Sequence, residues 1–147
     1  MAAPRPLAVR KQDTLHRLEH DVDAWVATAS PDGTPYLMPL SFLWDGRTLL
    51  LSTAVNNPTA RNLRANPHLL LTVGTTRDLI HITASAEQLA DIPPADAEAF
   101  ATKAGFDPRE ASTPYPFFRV TPITIQAWRE ANELKDRVLM QSGTWLV

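Results

Sequence analysis

At the end of one apolar run stand Ser52 and Thr53, followed by Asn56-Asn57-Pro58-Thr59-Ala60-Arg61 and, a few residues on, by Asn66-Pro67. Asn57 can cap a helix whose first position is Pro58, and Pro67 turns the residue before it away from helical geometry. The spacing predicts one short helix, TARNLRA, starting directly after a strand. Free N–H groups at that start, two hydroxyls just before it and Arg61 one turn in are a set able to hold an anion such as phosphate. A connecting helix with structural caps accounts for the same letters. His16-Arg17-Leu18-Glu19-His20 has the H-x-x-E-H order that places two histidines one turn apart for zinc, with Glu19 as base. A charged, solvent-facing helix explains that stretch too, no third ligand is identified, and no metal is expected.

His81, in LIHIT, alternates away from Ile80 and Ile82, so it either lines a groove or is a hydrogen-bonded structural histidine. Trp128 ends a strand-like run and introduces the charged REANELKDR; it covers a ligand or packs. Trp25 and Trp44 read as core or interface mass, Met38 and Met140 as core, and Arg77 and Asp78 as turn residues. The chain offers no Ser-His-Asp set, no paired-carboxylate constellation and no Gly-rich nucleotide loop. The catalytic residue is left unknown.

Such residues need a scaffold, and the bulk properties describe one. At 147 residues, 44% hydrophobic and 20% charged, the chain can bury one full core. A net charge of −2 without a basic tail speaks against nucleic acid as a partner. No apolar run approaches the roughly 20 residues of a membrane span and no signal peptide is evident, so a cytoplasmic protein with no membrane partner is expected. The absence of cysteine removes disulfides, thiolate nucleophiles and Cys-ligated zinc, and redox chemistry would need a borrowed cofactor.

Residues 1–13 read as an N-terminal arm and residues 14–147 as a single domain. Thr14 to Asp21 has a short helical pattern. AWVATA and YLMPLSFLW flank Asp32-Gly33, and Asp45-Gly46 before TLLLST predicts a type I′ hairpin. HLLLTVGT and LIHITASAEQL continue the meander through Thr75-Thr76-Arg77-Asp78. Pro93 to Gly105 reads as a helix with Gly105 as its C-cap, and FFRVTPITIQAW and RVLMQSGTWLV return to strand. Six or seven antiparallel strands with two or three helices imply a mainly β, closed or half-closed barrel, because closure removes unpaired edges.

The stretch from Asp23 to Val73 resembles the FMN-binding split β-barrel of the pyridoxamine 5′-phosphate oxidase-like family, in its actinobacterial flavin/deazaflavin oxidoreductase branch. The matching positions are Ala27, Thr28, Asp32, Gly33, Pro35, Pro39, Phe42, Trp44, Asp45, Gly46, Ser52, Thr53, Arg61, Asn62, Leu63 and Pro67, and residues 117–146 are similar to the last strands of that branch. The resemblance implies a homodimer with two cofactors in grooves between subunits. Pro39, Leu40 and Ser41 would face the isoalloxazine ring, and Ser52, Thr53, Thr59, Ala60, Arg61 and Asn62 would approach its phosphate; His81 and Trp128, from the residue reading above, are the further candidates for that groove. It also implies an oxidoreductase: a coenzyme F-420-dependent reductase passing hydride to an activated C=C bond of a small planar substrate, with FMN as the competing cofactor and a non-catalytic flavin- or haem-binding dimer as the other outcome. Three departures stand out. Thr59 occupies the place of the family's phosphate-facing lysine, Tyr36 that of a frequent arginine, and the long substrate-binding arm of true pyridoxamine phosphate oxidases is missing. Vitamin B6 oxidation is not expected.

Overall fold

In the computed structural model, which describes residues 2–147, strands of alternating burial roll into one antiparallel sheet. The strands are β1 (Asp23–Ala29), β2 (Pro35–Ser41), β3 (Leu43–Trp44), β4 (Leu49–Ser52), β5 (His68–Thr75), β6 (Asp78–Leu89), β7 (Phe117–Trp128), β8 (Val138–Gln141) and β9 (Thr144–Trp145). Their order is β2-β1-β5-β6-β7-β4-β3, with β8 and β9 beside β7. Nine strands replace the expected six or seven because two runs break. YLMPLSFLW parts at Phe42, whose N–H donates to the Val22 carbonyl, and RVLMQSGTWLV parts at Ser142-Gly143, both with positive φ.

Period-2 patterning sends one side chain of each pair inward. Val26, Leu71, Ile82 and Ile125 stand in register on four neighbouring strands and are fully buried, each worth about 1.5–3 kcal/mol of transfer free energy. The sheet order ends with β2 on one side and β3 on the other, yet the chain runs from one to the other through the buried Phe42. β2 and β4 have no ladder between them, so the barrel is split along that seam.

Three helices close the fold: α1 (Leu7–His20), α2 (Pro58–Ala65) and α3 (Pro94–Ala104), the last ending on Gly105 at φ +70°. α2 and α3 lie where the sequence places them. α1 does not: it starts at Leu7, so the boundary at residue 13 falls inside a helix and the N-terminal segment is tied down rather than a free arm. Arg5 donates to Glu133 and Asp13, and Arg10, only 2% exposed, donates to the carbonyls of Glu133 and Asp136. An arginine whose long-range partners lie 117 to 126 residues away leaves no local signature.

Two further expectations are corrected. The β3–β4 hairpin turns at Gly46-Arg47, with Gly46 alone at positive φ, the pattern of a type II′ turn rather than I′; Asp45 precedes the turn and accepts from the Arg47 and Thr48 amides. Met38 is 38% exposed, because β2 is an edge strand, whereas Met140 is buried as expected.

Candidate functional site

The seam between β2 and β4 opens into a cleft of about 430 Å³, within the range of small-molecule sites. One wall is Pro39, Leu40 and Ser41 of β2 with Asp23 of β1; the floor is the buried Ser52 and Thr53, with the exposed Asn57 at its lip; the other wall is Phe100 and Ala104 of α3 with Phe106 and Tyr115 beyond it. Phe106 and Tyr115 meet edge to face at 5.2 Å, which stiffens the aromatic wall. The wall is fastened to the floor: Ser52 Oγ lies 3.2 and 3.0 Å from the carbonyls of Tyr115 and Pro116, and the Val55 N–H donates to Pro114 at 2.9 Å. Sequence reading did not single out Phe100, Phe106, Tyr115 or Asp23, because they lie far along the chain from the floor, 63 positions for Ser52 and Tyr115, and only closure of the barrel joins them.

Five of the expected site residues thus come together: Pro39, Leu40, Ser41, Ser52 and Thr53. The helix residues behave differently. Thr59, Ala60 and Asn62 form the buried face of α2, at 2, 0 and 7% exposure, and Asn62 Nδ2 donates to Thr28 Oγ1 at 3.0 Å, pinning α2 to β1. Their side chains face the core, so what they can offer a ligand is backbone; the amides of Thr59 and Ala60, in the first turn, have no backbone partner. Arg61 points outward and pairs with nothing among the described residues. Asn57 does not cap α2 with its side chain; it donates instead to Thr53 Oγ1 at 3.0 Å.

His81 and Trp128 lie on the outer face of the sheet, several strands away from the seam. Residues directly opposite in a ladder share a face, and the register aligns Pro39, Trp25, Thr72, His81 and Gln126 in one row across five strands. Trp128, two residues beyond Gln126, shares that outer face. At roughly 4.8 Å per strand, three strand spacings put His81 about 14 Å from Pro39, too far to touch the same small ring within one copy. His81 Nδ1 is buried without a hydrogen-bond partner. The same face exposes Trp25 (50%), Leu70 (43%) and Ile123 (37%) and carries a second, apolar groove lined by Ala27, Leu70, Thr83 and Ile123 among others. His16 and His20 stack with centroids 4.1 Å apart, and among the described residues no group of three or more potential metal ligands gathers.

The donor set decides what the cleft can hold. Its apolar and aromatic walls fit a planar ring. For a phosphate the fit is poor: no lining residue is Lys or Arg, the charged one is the Asp23 carboxylate, and the Ser41 hydroxyl is already given to Asp23 at 2.7 Å. With Thr59 buried, the family's lysine position does not point into the opening.

Comparison with known proteins agrees with this architecture. Solved structures of the same fold include an F420 reductase (22% identity, 75% of this chain and 93% of that one, TM-score 0.61) and a FAD-binding protein from Mesorhizobium loti (22%, 78% and 89%, TM-score 0.62). Another is HutZ, the haem storage protein from Vibrio cholerae (15%, 77% and 89%, TM-score 0.62). Comparison with curated proteins finds no match. The family model described as pyridoxamine 5′-phosphate oxidase matches residues 16–129, which takes in both sides of the cleft and seven of the nine strands, and the chain belongs to that family.

Proposed function

We propose that this protein is a flavin- or deazaflavin-dependent oxidoreductase whose cleft holds the cofactor ring against β2. The observation that carries the reading is the meeting of Pro39–Ser41 with Ser52 and Thr53 along the split seam, opposite an aromatic wall. When bound, such a ring supplies hydride transfer; coenzyme F-420 is the first choice and FMN the alternative. The chain's own part is to bind and orient: backbone and Pro39 on one side, Phe100 and Phe106 on the other, with water kept from the face they cover. No histidine or lysine of this copy lines the cleft, so a proton reaching an activated C=C acceptor would come from water or from the Tyr115 hydroxyl. Homodimerisation through the face bearing Trp25 and Leu70 belongs to the same reading, because it would bring a partner copy's His81 and Trp128 within reach of a ring that one copy's own cannot touch. A cytoplasmic setting is consistent with it, and among the described residues no helix is long and apolar enough to cross a membrane.

A non-catalytic, haem-binding dimer is the second reading, favoured by a cleft lining without histidine or lysine and by the haem storage protein of the same fold. Titration of ligand-stripped protein with coenzyme F-420, FMN and haem separates them. Quenching of F-420 fluorescence at micromolar concentration, followed by reoxidation of the reduced cofactor on adding an enone, supports the reductase. A shifted haem absorption band with no response to either flavin-type ring replaces it with the binding module.

A further inference from the structure

Resting on that assignment of the cleft to a planar ring, we infer that this chain recognises the ring and leaves the cofactor's phosphate ungripped, so that a phosphate-free isoalloxazine is as good a ligand as its phosphate ester. Three independent features support it. The cleft lining contains Asp23 and no cation, so a dianionic tail entering it meets like charge rather than a counter-ion. The hydroxyls that would donate are largely committed: Ser41 to the Asp23 carboxylate, Ser52 between the carbonyls of Tyr115 and Pro116. The helix that would carry a lysine presents Thr59 to the core, while Arg61 points away from the lining and Arg64 donates to the Val55 carbonyl. What remains for an anion is neutral, the Thr53 hydroxyl, which accepts from Asn57 and keeps its own proton free, and a pair of amides at the start of α2, whereas the ring has six apolar or aromatic neighbours in Pro39, Leu40, Phe100, Ala104, Phe106 and Tyr115.

A charge-assisted phosphate contact is worth roughly a ten- to hundredfold gain in affinity, so its absence has a direct readout. The experiment is a pair of fluorescence-quenching titrations of the full-length, ligand-stripped protein with riboflavin and with FMN, which differ by the phosphate alone. Equal dissociation constants, within about threefold, and no change in their ratio on adding salt are expected. In the Asn57→Lys variant, which sets a cation on the exposed lip of the cleft, FMN should gain about tenfold over riboflavin. In Arg61→Ala the ratio should stay as it is. A wild-type preference for FMN of tenfold or more overturns the inference but leaves the ring site standing, and shows that a cation, from Arg61 or from a second copy, reaches the tail. Failure of both flavins to bind overturns it as well, and is distinguished by the separate F-420 and haem titrations, which test the cleft itself.

Discussion

Gly74 sits at the end of β5 with φ +95°, and a Cβ added there would run into the Asp78 carbonyl oxygen and come within 3.0 Å of the Arg17 guanidinium. Arg17 is itself held by Asp21 and Asp78, at 3.1 and 2.9 Å, so the neighbour cannot give way freely. Gly74→Ala should therefore destabilise the fold by about 2–3 kcal/mol or more, read as a lower urea midpoint. Glu133 makes a second single-residue prediction. Hydrogen bonds from Arg5, outweighing burial, hold its carboxyl down to about 2 from an ordinary 4.5. A carboxyl depressed on folding contributes stability that is fully present above pH 4.5 and is lost as pH falls through about 2. The amplitude is about 3 kcal/mol at 1.36 kcal/mol per unit. Unfolding followed at successive pH values should show that acid loss, and Glu133→Gln should flatten it. Neither position announces itself in the sequence: Gly74 looks like one more strand glycine, and Glu133 finds Arg5 across 128 residues.

The helix α2 is the element on which the sequence and the structure meet most closely. Its limits were legible, because Pro58 and Pro67 bracket it whatever the rest of the chain does. Its orientation was not, since which face turns inward depends on the barrel it plugs. The buried Asn62–Thr28 bond is the anchor, and Asn62→Ala, which strands the Thr28 hydroxyl, should cost about 1–3 kcal/mol by chemical denaturation. Combining it with Thr28→Val should recover part of that loss, because both partners are then removed. The loop carrying Tyr115 is the complementary element. Ser52→Ala cuts its two tethers, so the protein should stay folded by circular dichroism while its affinity for the ring falls several-fold through a loosened wall.

For the whole molecule, the outer sheet face carries the prediction. A half-exposed Trp25, with Leu37 at 56% and Leu70 at 43%, is more apolar surface than a lone strand face usually leaves in water. If two copies close there, Leu70→Asp should halve the mass measured by light scattering and weaken ring binding with it, while the isolated barrel keeps its β signature. A mass unchanged by the substitution would place the interface elsewhere. By itself the amino-acid sequence determined the class of fold, the hairpin order and the position of α2 and α3, because period-2 burial, proline and Asp-Gly punctuation act over a few residues at a time; the β2 residues beside the cleft were suggested only by the family resemblance. Only the tertiary structure decided that α1 begins at Leu7, that Thr59 and Asn62 face the core, that Phe106 and Tyr115 form the far wall and that His81 and Trp128 stand three and four strands away from β2. Those outcomes depend on strand register and on contacts between residues distant in the chain, from 34 positions for Asn62–Thr28 to 128 for Arg5–Glu133, and local pattern carries no information about either.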